Sequence, residues 1–277
     1  MVKLYSNFKL AEGPVYIKEI DTLVWVDIDG CELHYFNFAL NKKDCFSFEK
    51  KIGCVVPFKK NIVICGVGDS LIYFDLLKKI CLNSVKIFNN DLLRFNDGKC
   101  DKYGNLWIGT MALDFNDNTS KNVGSLYCIK KDRVVAEYDN FSIPNGMCWI
   151  DNNFYHIDTD KKTLYKYDVE NQYNLTNKES YITNFDASPD GMTLDDNNNF
   201  WIALWGGNKI VCYDSKSKKK IDEIYFDNKY ISCPTFGLKN YDYLFVTSAM
   251  DEKHSGAIYM LKTKYNGNPT YKYNGKI

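Results

Sequence analysis

Glu12, Asn145 and Asp190 each head a similar short stretch: Glu12-Gly13-Pro14-Val15-Tyr16, Asn145-Gly146-Met147-Cys148-Trp149 and Asp190-Gly191-Met192-Thr193-Leu194. Two carboxylates and one amide supply oxygen ligands. Such a set suits one hard or borderline divalent cation, with positions left for water. Calcium, zinc, manganese or magnesium would each fit. Pro144 and Pro189 precede two of the three residues. A proline there fixes φ and removes an N–H just ahead of the ligand. The same residues have a plainer reading. Asn-Gly and Asp-Gly are strong hairpin signals, so Asn145-Gly146, Asp190-Gly191 and Asp97-Gly98 also read as turns. A second polar turn follows each of them about six residues later, and it is the more natural hairpin.

Other chemistries find less support. His34, His156 and His254 are isolated from one another, with no His-x-His or His-Glu-x-x-His. A histidine-based zinc site or a histidine-dependent triad is not expected. The ten cysteines include no Cys-x-x-Cys pair, and several fall in apolar runs such as Val63-Ile64-Cys65. They read as buried reduced thiols in a cytoplasmic protein.

The elements that would bring residues 12, 145 and 190 together are repeats. Pro144, Pro189 and Pro234 are spaced by 45 and 45 residues. After each comes an apolar stretch, then a polar turn, then a strand-like run: Phe154–Asp158, Phe200–Leu204 and Tyr243–Thr247. The same unit appears upstream, leading to Leu23–Asp27, Ile62–Cys65 and Leu106–Thr110. The anchors are positions 12, 53, 97, 145, 190 and 235, with gaps of 41, 44, 48, 45 and 45. Two further strand-like runs follow most units. Six units of ~40–50 residues with four short strands each predict an all-β, six-bladed β-propeller. No 3.6-period segment of helical length competes with that reading. No linker or composition shift interrupts it, so residues 1–277 are expected to form one domain. In a propeller the innermost strands start near the central channel, so the anchors converge there and a central metal site becomes possible. Asp27 and Asp158, at the ends of second strands, read as structural.

Composition narrows the function. Apolar residues make up 45% and charged residues 25%, a globular balance and not a disordered one. Lys plus Arg equals Asp plus Glu at 35 each. That gives no electrostatic case for nucleic acid or an anionic membrane. No apolar run reaches the ~18 residues of a membrane span, and residues 1–5 show no signal-peptide core. A monomer or weak homodimer is expected.

Several stretches resemble the senescence marker protein/gluconolactonase/luciferin-regenerating-enzyme (regucalcin-like) family. They are Leu10–Val15, Trp25–Ile28, Arg94-Phe95-Asn96-Asp97-Gly98-Lys99, Trp107–Met111, Pro189-Asp190-Gly191-Met192-Thr193, Trp201–Gly207 and Phe245–Ala249. The resemblance covers nearly the whole chain, in order. It implies a six-bladed propeller and one divalent metal on Glu12, Asn145 and Asp190. It implies that Arg94 and Asn96 line a substrate pocket, with Asp114 a further contact after Met111. The implied activity is hydrolysis of a sugar lactone.

A lactone is a cyclic ester. Its hydrolysis needs a polarised carbonyl, an activated water and a stabilised oxyanion, and a metal with open positions serves the first and third needs. Asp190 is then the expected general base. Arg94 and Asn96 would orient the lactone by donating to its oxygens, in a pocket expected to be polar and narrow. Two alternatives stand beside this one: a non-catalytic calcium-binding or regulatory propeller, and an organophosphate-ester hydrolase. Retention of Arg94 and Asn96 favours a polyhydroxylated substrate.

Overall fold

Short apolar runs broken by polar turns form antiparallel strands here, with no α-helix among the described residues. The structure is a computed structural model that describes residues 1–115 and 119–276. Its strands form six four-stranded sheets. The inner strands are Ala11–Ile17, Ile52–Lys59, Leu93–Cys100, Pro144–Ile150, Ser188–Leu194 and Ile231–Gly237. Each packs on the inner strands of the two neighbouring sheets, closing a ring. This is a six-bladed β-propeller. Blades 1 to 5 are simple up-and-down meanders.

Burial falls from the channel outward, as repeated sheets packed face to face require. Inner strands are buried along most of their length, whereas outer strands such as Ile80–Lys86 are largely exposed. Trp25, Trp107 and Trp201, from second strands, are fully buried between blades.

Blade 6 takes its outer strand from the other end of the chain. Val2–Phe8 pairs with Gly256–Lys262 and closes the ring. Sequence periodicity gave no hint of this closure. Beyond the last strand, residues 263–276 cross the blades at the far ends of the inner strands. Gly267 N donates to Tyr241 O (2.8 Å), Asp196 N to Asn266 O (2.8 Å), Tyr273 N to Pro57 O (2.8 Å) and Asn274 N to Gly104 O (2.9 Å). Lys272 pairs with Glu19. This strap ties five blades together on the face opposite the anchors.

The dipeptides that also read as turns are not turns. Asn145-Gly146 and Asp190-Gly191 lie within inner strands, at irregularities in pairing between Pro144 and Met147 and between Pro189 and Met192. A β-bulge re-aims a side chain at such a point. The glycines serve close packing. A Cβ on Gly146 would stand 2.7 Å from Asp190 O, and one on Gly191 would stand 2.5 Å from Cys233 Sγ.

Two anchors need correcting. In blade 3 the irregularity runs from Phe95 to Gly98, so Asn96 and not Asp97 occupies the place of Asn145 and Asp190. In blade 6 it runs from Ile231 to Cys233, which puts Ser232 and not Thr235 there. The Asp-Gly dipeptide in one case and the 45-residue proline spacing in the other had pointed one to three residues too far along the strand.

Candidate metal centre and active-site cavity

Four inner strands point their first residues into one cavity of about 370 Å³. Glu12 comes from blade 1, Arg94 and Asn96 from blade 3, Asn145 from blade 4, and Asp190 from blade 5. All five are buried. Asp114 is exposed and is not among the residues lining the cavity, although Met111 and Phe115 on either side of it are. The structure therefore gathers five of the six sequence-predicted site residues and leaves Asp114 outside.

The two carboxylates are held with few donors. Glu12 Oε2 accepts the Gly13 N–H at 2.6 Å. Burial, then the charge of Asp97, pushes its carboxyl up to about 8 against the pull of Gly13 and Arg94. Asp190 is raised well above the usual carboxylate range, first by burial and then by Glu12 and Asp97. Asp97, one of the expected anchors, does not line the cavity but is a third buried carboxylate whose charge acts on both. Its Oδ1 accepts only the Gly98 N–H (2.7 Å), and burial raises its pKa also. Clustered acids that repel one another in a dry site are a common signature of function. A divalent cation would relieve both the desolvation and the repulsion, so the donor set fits one.

The amides are oriented by neighbours. Asn145 Nδ2 donates to Thr159 Oγ1 (2.9 Å), whose own proton goes to Pro189 O (2.8 Å). Asn96 Nδ2 donates to Pro144 O (2.9 Å), and its Oδ1 accepts from Arg94 Nη1 (2.9 Å). Arg94 Nη1 also reaches Phe95 O (2.9 Å), while its Nε is buried without a partner among the described residues. Burial lowers the Arg94 pKa to about 10, which leaves it cationic at neutral pH.

The remaining walls differ from the expected polar pocket. Leu10, Ile28, Met111, Phe115, Ile143 and Trp205 all face the cavity. These come from the approaches to inner strands, from the ends of second strands and from the loops just beyond them. Thr159, Asp160 and Lys162, after the second strand of blade 4, complete the lining with Ser188.

Asp27 and Asp158 are structural, as their strand-end positions suggested. Asp27 accepts from Lys9 N (3.0 Å), Leu10 N (2.9 Å) and Gly30 N (3.1 Å). Asp158 accepts from Ser142 N (3.3 Å) and Ile143 N (3.2 Å). Each carboxylate thus pins the approach to its blade's inner strand. Asp27 also lies near Glu32 and His34, with ligand atoms all within 4.8 Å of one another. Sequence spacing missed this group because a strand pairing assembles it, Asp27 against Glu32. Glu32 Oε2 is 2.9 Å from His34 Nε2. Asp27 is committed to three backbone N–H groups from outside the cluster, while the His34 ring nitrogens are buried without a well-formed hydrogen bond among the described residues.

All ten cysteines are unpaired, and seven are buried. No described helix is long and apolar enough to cross a membrane.

Residues 10–250 match the SMP-30/Gluconolactonase/LRE-like region. The chain belongs to that family. One relative, from Bacillus subtilis (strain 168), is described as "Putative sugar lactone lactonase YvrE". It is 31% identical, over 97% of this chain and 96% of its own. Regucalcin of Danio rerio is 27% identical, over 87% and 83% of the two chains. Among solved structures, a luciferin-regenerating enzyme superposes with a TM-score of 0.89 at 25% identity, covering 98% of each chain. A calcium-binding regucalcin from Agrobacterium tumefaciens gives 0.88 at 24%, over 96% and 94% of the two chains. Family membership agrees with the six-bladed architecture and with the motifs around Glu12, Arg94 and Asp190.

Proposed function

We propose that this protein is a metal-dependent lactonase acting on sugar lactones, with Glu12, Asn145 and Asp190 as the protein ligands of one divalent cation. The carrying observation is the pair of buried acids lining the cavity, Glu12 and Asp190, short of donors and repelling one another, beside an asparagine whose amide nitrogen is already engaged. When bound, the cation would supply Lewis-acid polarisation of the lactone carbonyl and charge stabilisation of the tetrahedral oxyanion.

The chain's own residues do the rest. Asp190 takes the proton of the attacking water, since its carboxylate lines the cavity and the Gly191 N–H engages only part of it. Arg94 lines the cavity with a cationic guanidinium fixed through Nη1 on Phe95 O and Asn96 Oδ1, and that charge faces a substrate oxygen. Asn96 holds Arg94 in place through its Oδ1 and has a second amide proton to donate. The apolar wall covers the carbon face of the ring and excludes water.

The test is a lactone panel run with metal-stripped and metal-restored protein. Aldonolactones and simple alkyl lactones should both be included, since six of the fifteen lining residues are apolar. Turnover should require metal. Asp190→Asn should lower kcat by about 10²–10⁴-fold at saturating metal, the usual cost of losing a general base. Near-normal kcat in that variant would leave Asp190 as a ligand only. Stoichiometric metal binding without turnover of any lactone would favour a calcium-binding regulatory propeller. Selective turnover of phosphotriesters would favour the organophosphate reading.

A further inference from the structure

We propose that Thr159 is a positioning residue of the metal centre: it turns the Asn145 carbonyl oxygen toward the ligand position and fixes the strand that carries Asp190. The inference rests on the reading of Glu12, Asn145 and Asp190 as ligands.

A hydroxyl has one proton to give and two lone pairs to receive. Thr159 Oγ1 lies 2.8 Å from Pro189 O, a carbonyl that can only accept. The Thr159 proton is therefore committed there. Its contact with Asn145, at 2.9 Å, must then run the other way, from the amide NH₂ to the hydroxyl. That assigns the orientation of an amide whose two ends otherwise look alike. With Nδ2 held on Thr159, Oδ1 is the atom left for a cation. A flipped amide would present N–H donors to the metal and would leave Thr159 facing an oxygen it has no proton for.

The same hydrogen bond acts on the neighbouring blade. Pro189 O is the carbonyl immediately before Asp190. Two other latches take the same form. Asn96 Nδ2 holds Pro144 O, immediately before Asn145. Ser232 Oγ holds Ala11 O, immediately before Glu12, at 2.7 Å. Each candidate ligand thus follows a carbonyl gripped by a side chain of the preceding blade. All three gripping side chains are buried. Thr159 differs from the other two because it holds both a ligand side chain and a ligand strand. Outer-shell partners of this kind typically account for about 10–100-fold in metal affinity.

The experiment is calorimetric titration of Ca²⁺ and Mn²⁺ into metal-stripped wild type, Thr159→Val and Thr159→Ser, with thermal melts of each metal-free protein. Valine keeps the branched shape and removes the hydroxyl. Thr159→Val should bind about 10–100-fold more weakly, and Thr159→Ser should stay within about threefold of wild type. Wild-type affinity in Thr159→Val overturns the inference while leaving the ligand reading intact. A lowered melting temperature of the metal-free protein with unchanged affinity also overturns it, by showing a structural role only. No metal binding by wild type overturns the ligand reading and the inference with it. If Thr159→Val does not fold, Thr159→Ala is titrated instead, and wild-type affinity there is equally fatal.

Discussion

Asp190, near the start of one inner strand, and Asp195, just past its end, are both buried, and their surroundings differ sharply. Asp195 takes four donors: Asn197 N (3.0 Å) and Asn199 N (2.8 Å) on Oδ1, and Asn199 Nδ2 (2.9 Å) and Trp201 Nε1 (3.1 Å) on Oδ2. Asp101 repeats the arrangement in blade 3 with Tyr103 N, Asn105 N, Asn105 Nδ2 and Trp107 Nε1, at 2.8 to 3.0 Å. Asp190 receives the Gly191 N–H and faces the charges of Glu12 and Asp97. A buried carboxylate surrounded by donors holds a turn and a tryptophan in place. One left short of donors costs stability in the metal-free chain and is kept for what it can bind.

The sharpest way to break this comparison is to remove the saturated acid. Asp195→Ala orphans a tryptophan N–H, an amide and two backbone N–H groups in a site without water access. The expected loss is about 3–5 kcal/mol, the range for deleting one partner of a buried charged network. At about 2–4 °C per kcal/mol for large domains, the melting temperature should fall by roughly 10 °C. Asp101→Ala should match it. A loss below ~1 kcal/mol for either would mean that these donors contribute little.

The unsaturated acids should respond in the opposite sense. In metal-free protein at pH 8, Asp190→Asn removes a desolvated, repelled charge. It should stabilise the fold, since burial and its acidic neighbours make that carboxyl costly to ionise. Chemical denaturation in a chelator measures it. Destabilisation there would place Asp190 with Asp195 and remove the distinction.

The pH dependence follows from the same origin. Glu12 ionises near its ordinary 4.5 in the unfolded chain and at about 8 in the folded one. Between those values the folded state holds a proton that the unfolded state has lost. Stability therefore falls as pH rises through that window, by at most about 1.4 kcal/mol per pH unit for one proton. Asp190, raised by the same neighbours, adds to the slope. His156 works against it on the acid side, because burial lowers its pKa to about 3 and protonation of the unfolded chain favours unfolding below about 6.5. From pH 6.5 to 8 the carboxylates act alone. Saturating Ca²⁺ should flatten that limb, and a metal-free protein equally stable at pH 6.5 and 8 would contradict the assignment.

Much of this was legible in the sequence. Inner and second strands were readable because each is a short apolar run ending in a polar turn, and the observed Thr22–Asp27 and Phe200–Trp205 fall where the pattern put them. Glu12, Asn145 and Asp190 were readable because a glycine follows each one, required by a positive φ after Glu12 and by close interblade packing after Asn145 and Asp190. The same signal misled in blade 3, where Asp97-Gly98 imitates the motif one residue late. The ring closure through Val2–Phe8 was not readable, since an outer strand is mostly exposed and its partner lies some 250 residues away. Thr159, Asp101 and Asp195 escaped notice for a related reason. Their roles rest on hydrogen-bond partners in three dimensions, and a lone threonine or aspartate at a strand end carries no pattern.

Asp114 supplies the smallest expected effect and the finest test of the comparison. The resemblance to lactonases pointed to an acidic residue just after Gly109-Thr110-Met111, but the structure leaves Asp114 exposed and outside the cavity lining. It is neither donor-saturated and buried nor donor-starved and buried; water solvates it. Removing its charge should therefore cost nothing that either class of buried acid would cost. Asp114→Asn should leave metal affinity and lactone kcat/KM within about twofold of wild type, and stability within about 0.5 kcal/mol, as for exposed surface changes. The informative failure is a tenfold or greater fall in kcat/KM with metal affinity unchanged. That result would assign Asp114 to substrate recognition despite its exposure. It would add a third kind of carboxylate to the pair compared here: one solvated in the free protein and desolvated only beneath a bound lactone, where hydrogen bonds to the substrate hydroxyls would replace those to water.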